Sequence, residues 1–146
     1  MKSNKLLVHY TLVMYGTLIS LALPVFAAPK GPDMGYPSLP RFDADVNGDY
    51  RKDFCRFVGD AGQIFLSCQF RTSDGYSSNQ YEFNSKPGID LGYPNMPRAM
   101  KDVNDDDRAD FCRYIGNQGD SNNPLRESCL LAGKAGFSNK EYRTDQ

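Results

Sequence analysis

The chain has 146 residues, with 17 lysines and arginines against 18 aspartates and glutamates and a net charge of −1. So balanced a charge offers no strongly basic face, and we expect neither nucleic acid nor an anionic membrane surface as the main partner. The only histidine is His9. The rest of the chain therefore lacks the imidazole that Ser-His and Cys-His nucleophile systems and histidine-ligated zinc hydrolases need.

Residues 1–27 have the pattern of a signal peptide. Lys2 and Lys5 precede a long apolar run, and small residues follow around Ala27, as a signal peptidase requires. We expect cleavage after Ala27. An uncleaved membrane anchor is the alternative, because the run is long enough to span a bilayer. Cleavage leaves 15 basic and 18 acidic residues, a net charge of −3, on a protein exported to a periplasm or out of the cell.

The remainder of the chain contains one unit twice. Residues 33–59 align without gaps on residues 90–116, and 16 of the 27 aligned positions are identical. The copies then differ in length and align again at Cys68 and Cys129, because copy two has four additional residues in the 117–124 region. Repeats of this kind indicate tandem structural units. We predict two of them, in residues 28–89 and 90–146.

Each repeat is predicted to be β rather than α. Segments 53–58 and 63–70 are short and rich in aromatic and β-branched residues, and turn-forming residues 59–62 separate them. Copy two has the same hairpin around a longer loop, from residue 111 to residue 131. No segment keeps an apolar period of about 3.6 residues. The expected fold is all-β, built of two blade-like repeats.

All four cysteines lie in these hairpins. An even number in a short exported chain indicates disulfides, and three pairings are possible. Cys55 and Cys68 lie at similar distances on either side of the first turn, and Cys112 and Cys129 do so around the longer loop. Pairing within each copy is the one scheme that treats both copies alike, so we predict Cys55–Cys68 and Cys112–Cys129.

A nine-residue segment with alternating oxygen-bearing side chains occurs in each copy, at residues 45–53 and 102–110. Calcium takes about six to eight oxygen ligands in tolerant geometry, and the lack of Cys and His tells against zinc or copper. We predict a calcium site in each copy, with side-chain ligands at positions 1, 3, 5 and 9 and a carbonyl ligand at position 7. The predicted ligands are Asp45, Asn47, Asp49, Arg51 and Asp53, and Asp102, Asn104, Asp106, Arg108 and Asp110. The alternative is a cluster of Asx turns, since Asp, Asn and Gly are ordinary loop formers.

The motif Asp-Val-Asn-Gly-Asp-x-Arg-x-Asp-Phe-Cys-Arg, followed by a loop and Ser-Cys, resembles FG-GAP and VCBS-type repeats. These occur in extracellular bacterial proteins and, more distantly, in the β-propellers of integrin α chains. The resemblance covers residues 43–68 and 101–129 well and the remainder loosely. It implies a calcium loop between the first two strands of a four-stranded blade.

Two features depart from that family. It usually has glycine at position 6 of the loop, where φ is positive, whereas this chain has Tyr50 and Asp107. We expect the second loop to be less strained, because aspartate tolerates left-handed geometry better than tyrosine does. Two blades also cannot close a ring, so we expect either a compact two-unit sandwich or a homo-oligomer.

The repeated Gly-Tyr-Pro-x-x-Pro-Arg segment contains Tyr36 and Tyr93, which are candidates for stacking on a sugar or a peptide. Alternatively, the two rings cover the apolar end of each repeat. Six repeated arginines are candidates for an anion-binding track, but we expect them to pair with the loop aspartates. Arg56 and Arg113, which follow cysteines on strands, are expected to point outward. The six are Arg41, Arg51, Arg56, Arg98, Arg108 and Arg113.

Together these features predict a secreted or periplasmic, calcium-stabilised module that recognises an extracellular protein or glycan. We expect no stable membrane span after signal cleavage and no enzyme activity. One alternative is an inhibitor or effector that acts through the 117–124 loop. A second is a glycoside hydrolase, which needs only two carboxyl groups, and a third is a structural subunit of a larger propeller.

Overall fold

The structure, a computed structural model, describes residues 31–144, and the predicted signal peptide lies outside them. In this part of the chain every regular element is a β-strand, and no helix there could cross a membrane. The first repeat forms β1 (Phe42–Ala44), β2 (Asp53–Val58), β3 (Phe65–Gln69), β4 (Arg71–Thr72), β5 (Gly75–Tyr76) and β6 (Phe83–Asn84). The second forms β7 (Ala99–Lys101), β8 (Asp110–Ile115), β9 (Arg126–Ala132) and β10 (Phe137–Arg143).

Each repeat builds its own four-stranded antiparallel sheet, in the orders β1-β2-β3-β6 and β10-β9-β8-β7. The short strands β4 and β5 pair separately as a hairpin. The β2-β3 hairpin places Cys55 opposite Cys68, and the β8-β9 hairpin places Cys112 opposite Cys129. Both predicted disulfides are present. The all-β prediction and the pairing within each copy are therefore confirmed.

The two sheets share one hydrophobic core. A single cluster of buried side chains draws on both repeats, and aromatic rings meet across the interface between them. The ring of Phe57 lies 5.5 Å from that of Phe111, and Phe83 lies 4.9 Å from Phe137, both edge to face. Such contacts bury each sheet's apolar surface against the other. The repeats thus form a compact two-unit sandwich within one chain.

The repeats pack face to back. The first sheet turns the side of Cys55 and Phe57 to the core. The second sheet turns its opposite side, that of Phe111 and Leu130, to the same core. Interfaces between unlike surfaces of equivalent units are heterologous, the kind that can in principle continue from unit to unit.

The expectation that Arg56 and Arg113 point outward into solvent is wrong, because each side chain is only 1% exposed. The Tyr-Pro segment of each repeat covers the arginine, and Nε donates to the carbonyl oxygen of Asp33 or Asp90 at 2.9 Å. A side chain added at Gly35 would meet the Cγ atom of Arg56 at 2.7 Å. Alternation along a strand assigned the side chains to a face but did not reveal that another segment covers that face.

Candidate functional site

The two predicted calcium loops are curled by successive Asx turns. In copy one, Asp45 Oδ2 accepts from the Tyr50 amide at 2.6 Å and Oδ1 from the Gly48 amide at 2.7 Å. Asn47 Oδ1 accepts from the Asp49 amide at 3.0 Å, and Asp49 Oδ1 from the Arg51 amide at 2.8 Å. Each of the first three ligand-position side chains therefore also fixes the backbone that follows it.

Copy two reproduces this curl. Asp102 Oδ2 accepts from the Asp107 amide at 2.9 Å, and Asp106 Oδ1 accepts from the Arg108 amide at 3.1 Å. Desolvation raises the pKa of Asp102, but the backbone N–H groups that donate to its carboxylate together outweigh it and hold the pKa below the ordinary value. Its carboxylate is therefore ionised at neutral pH.

Positive φ angles occur at two positions of each loop. Position 6 has φ 64° at Tyr50 and 63° at Asp107, as predicted. Position 4 also has positive φ, 78° at Gly48 and 57° at Asp105, which was not predicted from the sequence. For residues other than glycine this conformation costs about 1–2 kcal/mol. The chain thus maintains the curl without glycine at position 6 in both copies and at position 4 in copy two.

The position-9 aspartates anchor each loop to the sheet. Asp53 is fully buried; its Oδ2 accepts from the Val46 amide at 3.1 Å and its Oδ1 from the Arg71 amide at 2.8 Å. Asp110 binds the amides of Val103 and Ala132 in the same way, at 3.0 and 2.7 Å. The two bonds join the start of the loop to the end of the second hairpin strand: Arg71 lies just beyond β3, and Ala132 is the last residue of β9.

The carboxylates within each loop repel one another. Burial raises the pKa of Asp53, and the nearby charges of Asp49 and Asp45 raise it further against two backbone hydrogen bonds. Asp110 responds to burial and to its own loop partners in the same manner. A bound cation would relieve this repulsion, since it favours the charged form of each carboxyl.

The donor set fits calcium, because it consists of carboxylate and amide oxygens. Within residues 31–144, however, no three acidic, histidine or cysteine side chains are gathered as a metal site. The geometry described is that of the Asx-turn cluster, in which N–H groups already occupy the predicted ligand oxygens. Calcium binding therefore stays a prediction.

The six repeated arginines were expected to pair with loop aspartates, but in the described chain only the two at position 7 do so, with the position-5 aspartates. Arg41 and Arg98 donate instead to the carbonyl oxygens of Met34 and Leu91. Arg108 Nη2 lies 2.7 Å from Asp106 Oδ2, and Arg51 Nη1 lies 3.4 Å from Asp49 Oδ2. Each guanidinium would compete with a cation for that carboxylate. Because the Arg108–Asp106 pair is the closer one, we expect the guanidinium to compete with a cation more strongly in copy two.

The two loops also touch each other, which the sequence did not reveal. The Ala109 amide donates to the Asp45 carbonyl oxygen at 2.7 Å, so position 8 of the second loop binds position 1 of the first. Arg108 packs near Gly48 across the same contact. Contact between the edge strands β1 and β7 of the two sheets brings the loops together.

The two candidate tyrosines have the same hydrogen bond. The Tyr36 hydroxyl donates to the Gly59 carbonyl oxygen, and the Tyr93 hydroxyl to the Gly116 carbonyl oxygen, each at 2.6 Å. The bond holds each ring against the turn that joins the two strands of its β-hairpin. The Tyr36 ring also packs against the shared core, as the covering alternative expects, whereas Tyr93 is among the exposed large side chains.

The surroundings of the two tyrosines nevertheless differ. Beside Tyr36 lies a shallow pocket of about 220 Å³. Beside Tyr93 the pocket reaches about 320 Å³, because the longer loop adds Asn117 and Asn123 to its wall. Hydrogen bonds shape that loop: the Asn117 amide donates to the Asn123 carbonyl oxygen at 2.8 Å. Tyr114 also lines the pocket, a residue that sequence reasoning missed because Phe57 is its counterpart in copy one.

Comparison with models of known families, with curated proteins and with solved structures finds no match for this chain.

Proposed function

We propose that this protein is an exported, calcium-stabilised recognition module of the FG-GAP and VCBS type. In this proposal, the pocket beside Tyr93 binds an extracellular glycan or protein partner. One observation carries the proposal: the four additional residues of copy two enlarge a pocket that copy one has only in reduced form.

The pocket wall favours a glycan. It combines two tyrosines, Tyr93 and Tyr114, with polar groups from Asn117, Asn123 and Asp90. Aromatic faces and a few well-placed polar groups are what a site for a small polar ligand requires. Sugar hydroxyls would exchange hydrogen bonds with the amides and the carboxylate.

The compartment supports an extracellular role. Two disulfides are typical of proteins in oxidising surroundings outside the cytosol, and both are formed here. With the signal-peptide pattern of residues 1–27, they support export to a periplasm or to the medium.

Binding at the pocket is tested on a glycan array in the presence of calcium. Replacing residues 117–124 by the shorter copy-one sequence of residues 60–63 should abolish binding, because it removes one wall of the pocket. Tyr93→Ala should weaken binding strongly, whereas the matched Tyr36→Ala should not. Binding that survives the loop replacement, or no bound glycan at all, would contradict a glycan site in this pocket.

Calcium is tested by calorimetric titration of the oxidised protein together with its thermal stability. We expect two sites with dissociation constants of about 10⁻³ M or tighter. Stabilisation at a hundredfold excess over the dissociation constant would be about 2.7 kcal/mol, reversed by EDTA. The pair Asp49→Asn and Asp106→Asn should each remove one site. Neither heat nor stabilisation would mean that both loops are ordinary Asx-turn clusters.

A further inference from the structure

A row of polar side chains, two of them buried and one partly buried, crosses three strands of the first sheet. Arg56 on β2 lies opposite Ser67 on β3, and Ser67 lies opposite Asn84 on β6. Directly opposed residues place their side chains on the same face, a few ångströms apart. The row lies on the face turned away from the shared core.

Each member of this row has a buried polar atom without a hydrogen-bond partner in the described chain. The atoms are Arg56 Nη2, Ser67 Oγ and Asn84 Oδ1, and residues 31–144 contain just one other, Arg126 Nε. Arg56 is 1% exposed and Ser67 is wholly buried. Because an unpaired buried polar group bears its full desolvation cost, three in one row indicate a site that a ligand completes.

The second sheet shows which chemical group fits. Arg113 lies opposite Ser128, and its Nη1 donates to the Ser128 carbonyl oxygen at 3.2 Å, as Arg56 Nη1 does to that of Ser67. In addition, the carboxylate of Glu141 accepts from Arg113 Nη1 at 2.7 Å, from Nη2, and from Ser128 Oγ at 2.6 Å. In copy two a carboxylate therefore binds Arg113 Nη2 and Ser128 Oγ, the counterparts of two of the three atoms that are unpaired in copy one.

The first repeat does not supply this carboxylate from its own chain. The sequence counterpart of Glu141 is Gln80, whose Oε1 instead accepts from the Asp33 amide at 2.7 Å. The strand partner is also short: β6 spans two residues, whereas β10 spans seven. By strand register Glu82 corresponds to Glu141, but the chain turns before it and Glu82 is exposed.

Tyr81 covers the arginine of the row. Its ring centroid lies 5.1 Å from the Arg56 Cζ atom, and its hydroxyl donates to Asp33 Oδ2 at 2.7 Å. The Asp33 charge also acts on the Arg56 guanidinium from that side. Tyr81 is 44% exposed and is held at its outer end by that hydrogen bond. Tyr81 therefore lies on the solvent side of the Arg56 guanidinium.

We propose that Arg56, Ser67 and Asn84 bind a hydroxycarboxylate, the group that an acidic sugar presents, when Tyr81 rotates away. The carboxylate accepts from Arg56 Nη2 and Ser67 Oγ, as Glu141 does in copy two, and the neighbouring hydroxyl donates to Asn84 Oδ1. This site goes beyond the proposed function, since it is separate from the Tyr93 pocket and requires no calcium.

The test is an NMR titration of the isotope-labelled oxidised protein with D-glucuronate, and with D-glucose as the uncharged counterpart. We expect saturable amide shifts at the three row residues with glucuronate and none with glucose. Ser67→Ala should weaken binding about tenfold, by removing a hydrogen bond to a charged group. The matched Ser128→Ala should leave the affinity unchanged. Tyr81→Ala should tighten binding, because it removes the closed state, which cannot bind the ligand and lowers the apparent affinity.

The source of the hydroxycarboxylate is distinguished by a parallel titration with lactate. Tighter binding of glucuronate supports the proposal with an acidic sugar as ligand, and tighter binding of lactate supports it with a free hydroxy acid. Equal shifts with glucose would overturn the proposal. So would the absence of any shift at the row at about 10 mM glucuronate, a concentration at which even millimolar affinity is detected. Shifts confined to the residues around Tyr93 would overturn this site while leaving the proposed function intact.

Discussion

Tyr50 and Asp107 hold the same backbone conformation with different side chains. Both occupy position 6 of their loops, at φ angles of 64° and 63°. Aspartate enters this region more readily than an aromatic residue, because its short polar side chain can hydrogen-bond locally. Tyr50 is 82% exposed, so few packing contacts offset its strain. At position 6 the first loop is therefore the more strained, whereas at position 4 only the second loop has a residue other than glycine, Asp105.

We expect Tyr50→Gly to stabilise the calcium-free protein by about 0.5–1 kcal/mol. Glycine relieves strain of about 1–2 kcal/mol, and its greater freedom in the unfolded chain offsets part of that gain. Asp107→Gly is the matched control and should gain less. Urea unfolding in EDTA measures both. Equal gains, or a loss at position 50, would show that the tyrosine conformation is not strained.

Glu141 gives the second repeat a pH-dependent contact. Burial opposes its ionisation, but hydrogen bonds from Arg113 and Ser128 outweigh burial and hold the pKa below the ordinary 4.5. A lowered folded-state pKa means that the contact stabilises above the unfolded value and is lost as the pH falls through the folded one. The Arg113 side chain is 1% exposed and that of Glu141 39%, so the pair is only partly shielded from water.

We therefore expect Glu141→Gln to cost about 1–2 kcal/mol at neutral pH, discounted from a fully buried pair because Glu141 is partly exposed. The difference from the parent protein should shrink below about pH 4.5, where the parent also loses the charge. Glu127→Gln, which removes the more exposed pair with Lys101, should cost less. A cost for Glu141→Gln that does not change with pH would contradict this account.

At the scale of elements, each loop and its hairpin form one unit. Asp53 begins β2 and accepts hydrogen bonds both from Val46 inside the loop and from Arg71 beyond β3. Asp110 performs the same task for β8 and β9. A position proposed as a metal ligand is thus also a structural link, with or without calcium.

Asp53→Ala should destabilise the protein by about 2–4 kcal/mol in EDTA, because one buried and one partly buried backbone donor lose their acceptor at about 1–3 kcal/mol each. Asp49→Ala, in the same loop but exposed, should change stability by less than about 0.5 kcal/mol. Chemical denaturation followed by tyrosine fluorescence measures both. Similar costs for the two variants would show that Asp53 does not join the loop to the sheet.

How much of this was predictable differs from element to element. The β2 hairpin and the Cys55–Cys68 bond followed from the sequence, because turn residues and a repeated spacing are local signals. Burial of Arg56 did not follow, because a segment about 20 residues away in the chain covers it. The hydrogen bond between Asp45 and Ala109 joins residues that are 64 positions apart in the chain, and no local pattern encodes such a contact. The calcium ligands were predicted from spacing alone and stay a prediction.

At the scale of the whole molecule, face-to-back packing raises the question of where the stack of sheets ends. The core-facing residues Ala132 and Phe137 of copy two have as their counterparts Arg71 and Tyr76 in copy one. Those two are exposed, and the Arg71 guanidinium lies 4.6 Å from the Tyr76 ring centroid. A charged, hydroxyl-bearing surface where another sheet would pack is typical of a capping repeat.

Changing this cap to the copy-two residues, Arg71→Ala with Tyr76→Phe, should increase self-association. The double variant exposes on the first sheet an apolar surface like the one that the second sheet buries. Sedimentation velocity should show a monomeric parent and a concentration-dependent larger species for the variant. Lys86→Ala with Tyr50→Phe removes a similar charge and hydroxyl elsewhere and should stay monomeric. An oligomeric parent would instead favour the larger propeller considered from the sequence.

Each disulfide lies within a single sheet, so no disulfide of the described chain ties one sheet to the other. The sheets are joined covalently by the backbone alone, which crosses between them through the exposed residues 86–88. A single proteolytic cut there would produce two separate polypeptides, each with its own internal cross-link, held together only by packing. The molecule is for that reason a natural candidate for a split protein, whose two fragments would reassemble on mixing.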